Sequence, residues 1–312
     1  MKEEINYEGN NSEIKTLSDG TKYLINPDKI SSGGPPKGGI GVDRGIPALA
    51  EENIKFVSVG EADEWINDNE LVLALTYKDV ERVYPLQILV WHEIVNDNVK
   101  EDPILITYCP LCGSGIAYER TIELNGNKVG SRFGTSGKLY NSNLVMYDER
   151  TNTYWQQIDG KAIVGELTGQ ELKEISIDTV VWGGWKKSHP DSMVLSQDTG
   201  FTREYGRDPY GNYYEDSFLI FDVENEDNRI HPKTVVFGVE VNGDYKAYRE
   251  DDLIKKNVIE DEIDGVRIRI ERGGDGVVKI ENMETGEEIV KERDFWFAWY
   301  AFHPETKLYG IE

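Results

Sequence analysis

The sequence is short of every residue that bonds through sulfur, and of histidine. Its 312 residues include two cysteines, four methionines and four histidines. So few cysteines exclude a disulfide-dense scaffold. Cations are scarce as well: 34 Lys and Arg face 58 Asp and Glu, a formal net charge of −24. A chain that acidic repels phosphate backbones and anionic headgroups, so nucleic acid is not an expected partner. Long apolar runs are missing. LVLAL at 71–75 is typical, far short of the about 20 residues a helical membrane span needs. There is no Walker loop and no dinucleotide-binding glycine string, so ATP, GTP and NAD have no support, and with no EF-hand loop the scattered Asp side chains give calcium only weak support. The opening residues are polar, with no apolar leader segment. That reading leaves a cytoplasmic protein, or a mature exported one whose leader is absent.

What is present suffices for a large core. Hydrophobic residues make up 38% of the chain, with 17 Tyr, 9 Phe and 7 Trp among them, which excludes bulk disorder. The length exceeds the usual single domain and favours two domains or one duplicated one. Residues 1–50 are rich in Gly, Pro, Ser and Asn and read as an extended arm laid over the surface. Past residue 50 come a short helix started by Ser58, a strand at LVLALTY, a turn or short helix from Pro85, and then many β-branched and aromatic runs broken by glycine. That pattern predicts antiparallel sheets with tight turns and short helices: a β-rich α+β fold.

A repeat organises the chain. Displaced by 164 positions, VLALTYKDVERVYPLQILVWHEIVND lies over VFGVEVNGDYKAYREDDLIKKNVIED, with Tyr84 on Tyr248, Leu89 on Leu253, Val95 on Ile259 and Asp97 on Asp261. A second echo, WGGWKKSHPDS against WFAWYAFHPET, is displaced by 114. The expectation is two tandem related lobes from an internal duplication: a first lobe at 51–200, a connector at 201–216 and a degenerate second lobe at 217–312. Features shared by both copies, such as His189 and His303, are expected to be structural. His92, which falls on Lys256, and Cys109 and Cys112, which have no counterpart, are the candidates for function.

Cys109 and Cys112 stand as C-P-L-C, a spacing that lets two thiolates grip one soft or borderline ion. A strand beginning at His92 and one ending at Cys109 should pair antiparallel, which brings these two residues together. The expected site is therefore Cys109, Cys112 and His92 holding one copper or zinc ion, its fourth position open to water, substrate, His303 or His189. Ser114 and the segment containing Ser136, Tyr140, Asn141 and Asn143 are expected to line a pocket beside it. Two other readings stay open. The pair is a thiol–disulfide oxidoreductase site, although the glycines after Cys112 argue against the helix such sites sit on. Or it is a structural disulfide in a non-catalytic binding or surface-structural protein. The partner is an unidentified small molecule or protein.

The strings SGGPPKGGI, YPLQILVWHEIVND, TYCPLCGSGIAY, FGTSGKLYNSNLVMYDERTNTYWQQIDGKAIVG and FWFAWYAFHPET resemble domain-of-unknown-function family 3179. The resemblance implies an exported bacterial or archaeal protein, hence an extracytoplasmic or secreted location. It implies no activity. Typical members carry Asp where this chain has Asn143, a departure that removes one candidate ligand.

Overall fold

The computed structural model describes residues 13–33 and 45–311. Strand makes up 43% of it and helix 12%, in several antiparallel sheets. The β-rich expectation therefore holds. The five α-helices among the described residues are short: α1 (Val59–Ala62), α2 (Leu86–His92), α3 (Trp182–Ser188), α4 (Glu250–Lys256) and α5 (Trp296–Phe302). Ser58 starts α1 through a capping box, its hydroxyl accepting from the Glu61 amide while the Glu61 carboxylate accepts from the Ser58 amide.

A five-stranded sheet orders its strands Asp178–Val181, Leu71–Tyr77, Val80–Pro85, Met193–Leu195 and Phe56–Ser58. Beside it lies a four-stranded sheet of Lys173–Ile175, Ser114–Glu119, Asp102–Cys109 and Ile94–Val99. A third sheet has seven strands, among them Phe133–Tyr140 and Asn143–Asp148. The arm is not merely laid over the surface. Its short strands Lys15–Thr16, Lys22–Tyr23 and Ser31–Ser32 pair at the margins of this third sheet. Its Gly/Pro-rich centre, PPKGGI included, lies outside the described residues.

Towards the C-terminus, Lys291–Phe295, Val235–Val241, Asp244–Arg249 and Lys307–Leu308 form another four-stranded sheet, and a three-stranded sheet of Val258–Ile263, Val266–Arg272 and Val278–Asn282 is inserted between its strands in sequence. Local bonds recur at the aligned positions. Tyr84 donates to Asp97 at 2.7 Å and Tyr248 to Asp261 at 2.9 Å. The indole of Trp185 donates to Ser192 and that of Trp299 to Thr306. Trp182 donates to Asp63, and Trp296 to Asp227.

Residues 201–216, expected as a connector, are part of the packing. Phe201 and Tyr205 have ring centroids 5.5 and 5.8 Å from that of His92. Tyr213 joins the core cluster that contains both cysteines, as do Phe295, Phe297 and Ala298 from the C-terminal part. The apolar surface around the cysteines is thus closed by side chains from far along the chain.

Candidate functional site

Cys109 ends one strand and Ser114 opens the next, and the two residues pair. The link between them is a knuckle: the Cys112 amide donates to the Cys109 carbonyl at 3.1 Å and the Gly113 amide to the Pro110 carbonyl at 3.4 Å. Gly113 has φ of +64°, and a Cβ there would lie 3.0 Å from the Phe295 ring. The positive φ favours glycine, and a larger residue would need the Phe295 ring to give way. Both thiols are free, with their sulfurs 3.3 Å apart and exposures of 2% and 0%.

A second turn meets the first. Asn141 and Ser142 both have positive φ, 48° and 61°, which makes the tight link between Phe133–Tyr140 and Asn143–Asp148. It brings the Ser142 carbonyl to 3.5 Å from the Cys112 sulfur and 4.0 Å from that of Cys109. The Asn143 amide donates to the Cys112 sulfur at 3.3 Å and to Gln157 at 2.7 Å, while Gln156 donates to the Asn143 oxygen at 2.8 Å. Gln157 also donates to Thr107 at 3.0 Å and to Ser114 at 3.4 Å. All of these groups are buried. Such a connected polar network fixes one geometry around the sulfurs, because breaking it would strand donors in the core.

The titratable groups at this site are acidic, and burial holds them towards their protonated forms. Burial pushes the Cys112 thiol well above its ordinary pKa, the Cys109 thiol adds to this, and the Asn143 bond opposes it. Asp294, beside Ser114 and Glu292, is raised by burial. Glu292 and Glu174 are raised by burial and by the neighbouring Asp294 charge. Neither oxygen of Asp294 has a hydrogen-bond partner of ordinary geometry.

The expected third ligand is elsewhere. The backbones of 92 and 109 do run side by side, since Ile94 pairs with Thr107 and the Tyr108 amide donates to the Glu93 carbonyl. But His92 is the last residue of α2, not the first of a strand, and Glu93 leaves the helix with φ of 57°. That reversal commits the imidazole to the Pro47 carbonyl and the Tyr205 hydroxyl, each at 2.7 Å. Burial lowers its pKa to about 4, so it is neutral. His189 stacks on Trp185 at 3.6 Å and bonds Glu81. His303 stacks on Tyr245 at 4.2 Å. Among the described residues no three His, Cys, Asp or Glu side chains are grouped to hold a metal ion.

Of the expected pocket residues, Ser114 and Asn143 reach the site. Ser136 donates to the Val145 carbonyl, Tyr140 to Glu224 and Asn141 to the Ala301 carbonyl. Thr107, Ser142, Gln156, Gln157 and Asp294 complete the surroundings and went unread. The tandem Gln156–Gln157 inside an aromatic strand run was the available signal, since paired amides in a core need partners. Asp294 offered none.

The family model for proteins of unknown function, DUF3179, matches residues 43–306. The chain belongs to this family. The match spans both cysteines, the Asn143 turn and the second W-x2-W element, so the dithiol lies within the family's own region. No curated protein and no solved structure matches this DUF3179 chain.

Proposed function

We propose that the protein binds a soft transition-metal ion, copper before zinc, between the thiolates of Cys109 and Cys112. The observation that carries this is the pair of free sulfurs 3.3 Å apart on a knuckle. Their surroundings decide between chemistries. A reactive thiol needs a lowered pKa from a cation, a helix N-terminus or a base. Here burial and acidic neighbours push Cys112 the other way. A metal cation supplies the missing positive charge and displaces the thiol protons. Cu(I) is satisfied by two soft ligands, whereas zinc asks for four. Without His92 as a ligand, copper is the better fit.

The test is elemental analysis and Cu(I) titration of protein purified without chelator. The expected result is about one equivalent of copper, lost in Cys109→Ser and in Cys112→Ser, with affinity rising with pH as protons are released. Full copper occupancy in Cys109→Ser would end the proposal. A second reading, a dithiol–disulfide couple, is favoured by the short separation, since an S–S bond needs about 2.05 Å. Two thiols would then lose two protons and two electrons to a disulfide partner. Metal-free protein with a reversible disulfide would establish that reading instead.

We also propose that the hairpin–helix–hairpin units beginning at Leu71 and Val235 are copies, the second having lost the knuckle. The recurrence of the Tyr–Asp and Trp–hydroxyl bonds at aligned positions supports this. The strand that flanks the second hairpin strand is also parallel in both, Met193 on Arg82 and Lys307 on Lys246. An experimental structure in which the two backbones fail to superpose would refute it.

A further inference from the structure

A second feature is independent of the thiols. A cleft of about 460 Å³ opens between the strands near Tyr118 and those near Val239. Asp159, Glu171 and Glu174 line one wall, and Glu240, Glu292 and His303 the other. Among the described residues Lys161 is the sole cation lining it, and it is already paired with Glu171 at 2.7 Å. The other acidic side chains crowd one another, and burial with that crowding holds Glu174 and Glu292 towards their protonated forms, from which an arriving cation would displace the protons.

One buried polar atom points to a ligand. His303 is 8% exposed and its Nε2 has no hydrogen-bond partner. Glu292, on the same wall, shares a proton with the buried carboxyl of Asp294 behind it. An unpartnered atom such as the His303 Nε2 costs free energy unless something binds it. The imidazole is held by Tyr245 and Trp299, with ring centroids at 4.2 and 4.1 Å, so it cannot readily turn away to find a partner.

The shape selects among cations. These side chains are not grouped closely enough for three of them to share a bare ion. The cleft is too roomy for one, and its lining includes the apolar side chains of Ile158, Leu172, Ile289 and Val290. Separated carboxylates with apolar surface between them match an extended molecule with charged ends and a methylene stem. We propose that this cleft binds a small aliphatic diamine or polyamine. Its ammonium ends would pair with Asp159 and Glu174 on one wall and with Glu240 and Glu292 on the other, and one end would donate to His303 Nε2.

The experiment is calorimetric titration of the full chain with 1,4-diaminobutane and with spermidine at low ionic strength. 1,4-Butanediol and manganese are run beside them. The expected result is saturable binding of the amines and none of the diol. Loss of one charge-assisted contact should weaken binding about tenfold or more in Glu292→Gln and in Asp159→Asn. Glu240 is exposed on its strand and Asp159 sits in a turn, so Glu240→Gln and Asp159→Asn keep the test open if Glu292→Gln fails to fold. No amine binding, amine binding unchanged in Asp159→Asn and Glu240→Gln, or displacement of the amine by equimolar manganese would overturn the proposal. Cys109→Ser should leave the amine titration unchanged, which separates this site from the thiol pair.

Discussion

Asn143 shows how a single atom sets the chemistry of the knuckle. Its amide N–H points at the Cys112 sulfur, and its own oxygen is held by Gln156. The resemblance made position 143 a lost ligand; here it is a donor to sulfur, which favours the thiolate. Asn143→Asp is therefore expected to raise the Cys112 pKa further, by removing a donor and adding a negative charge. A thiolate absorbance titration of the metal-free protein checks this, and an unchanged or lowered midpoint would contradict it. His92 teaches the opposite lesson. Its position beside Cys109 along the backbone was legible from strand pairing, but the direction of its ring was not. That direction depends on one residue, Glu93, taking a left-handed conformation at the end of α2.

At the scale of elements, the second hairpin is easier to read than the first. Asn242-Gly243 has positive φ at both residues, the standard link between twisted antiparallel strands. The matching link in the first hairpin is Lys78-Asp79, which adopts the same conformation without glycine. Alternation in the flanking strands, not a turn dipeptide, is what located it. The tryptophan elements were legible as a motif but not as helices: α3 and α5 have seven residues each and no side-chain cap. Packing holds them instead. Gly238 lies so close to Trp299 that a Cβ would stand 2.3 Å from the ring. Gly238→Ala is thus expected to destabilise by about 1–3 kcal/mol through overpacking. Chemical denaturation measures it, and a neutral result would mean that the indole can move.

Across the whole molecule, buried titratable groups bracket the pH of greatest stability. His92 and His303 are held near 4 by burial, below their unfolded value of 6.5. Between those values the unfolded chain binds more protons, so stability falls as pH drops through that window. Glu93 is the reverse case: burial raises it to about 8 from 4.5. Between those values the folded chain binds more protons, so stability falls as pH rises towards 8, and the raised Glu174, Glu292 and Asp294 act in the same direction. Each fully shifted group contributes a slope of up to about 1.4 kcal/mol per pH unit. A dome in denaturation free energy is expected, with its alkaline limb flattened in Glu93→Gln. An unchanged alkaline limb in that variant would refute the assignment.

Composition, periodicity and the internal echo determined that this chain is β-rich, acidic, without a helical membrane span, and marked by one dithiol knuckle. These are local or additive properties: hydrophobic alternation sets strands, glycine and asparagine set turns, and charges sum. The surroundings of the knuckle were decided by tertiary structure alone. Asn143 and Gln157, Tyr213 and Phe295 come from four separate stretches of chain. They meet only because burial of the core brings those stretches together. The acidic cleft has the same origin: its walls lie more than sixty positions apart in sequence, from Glu174 to Glu240. No local pattern records which carboxylates will face one another once the sheets have packed.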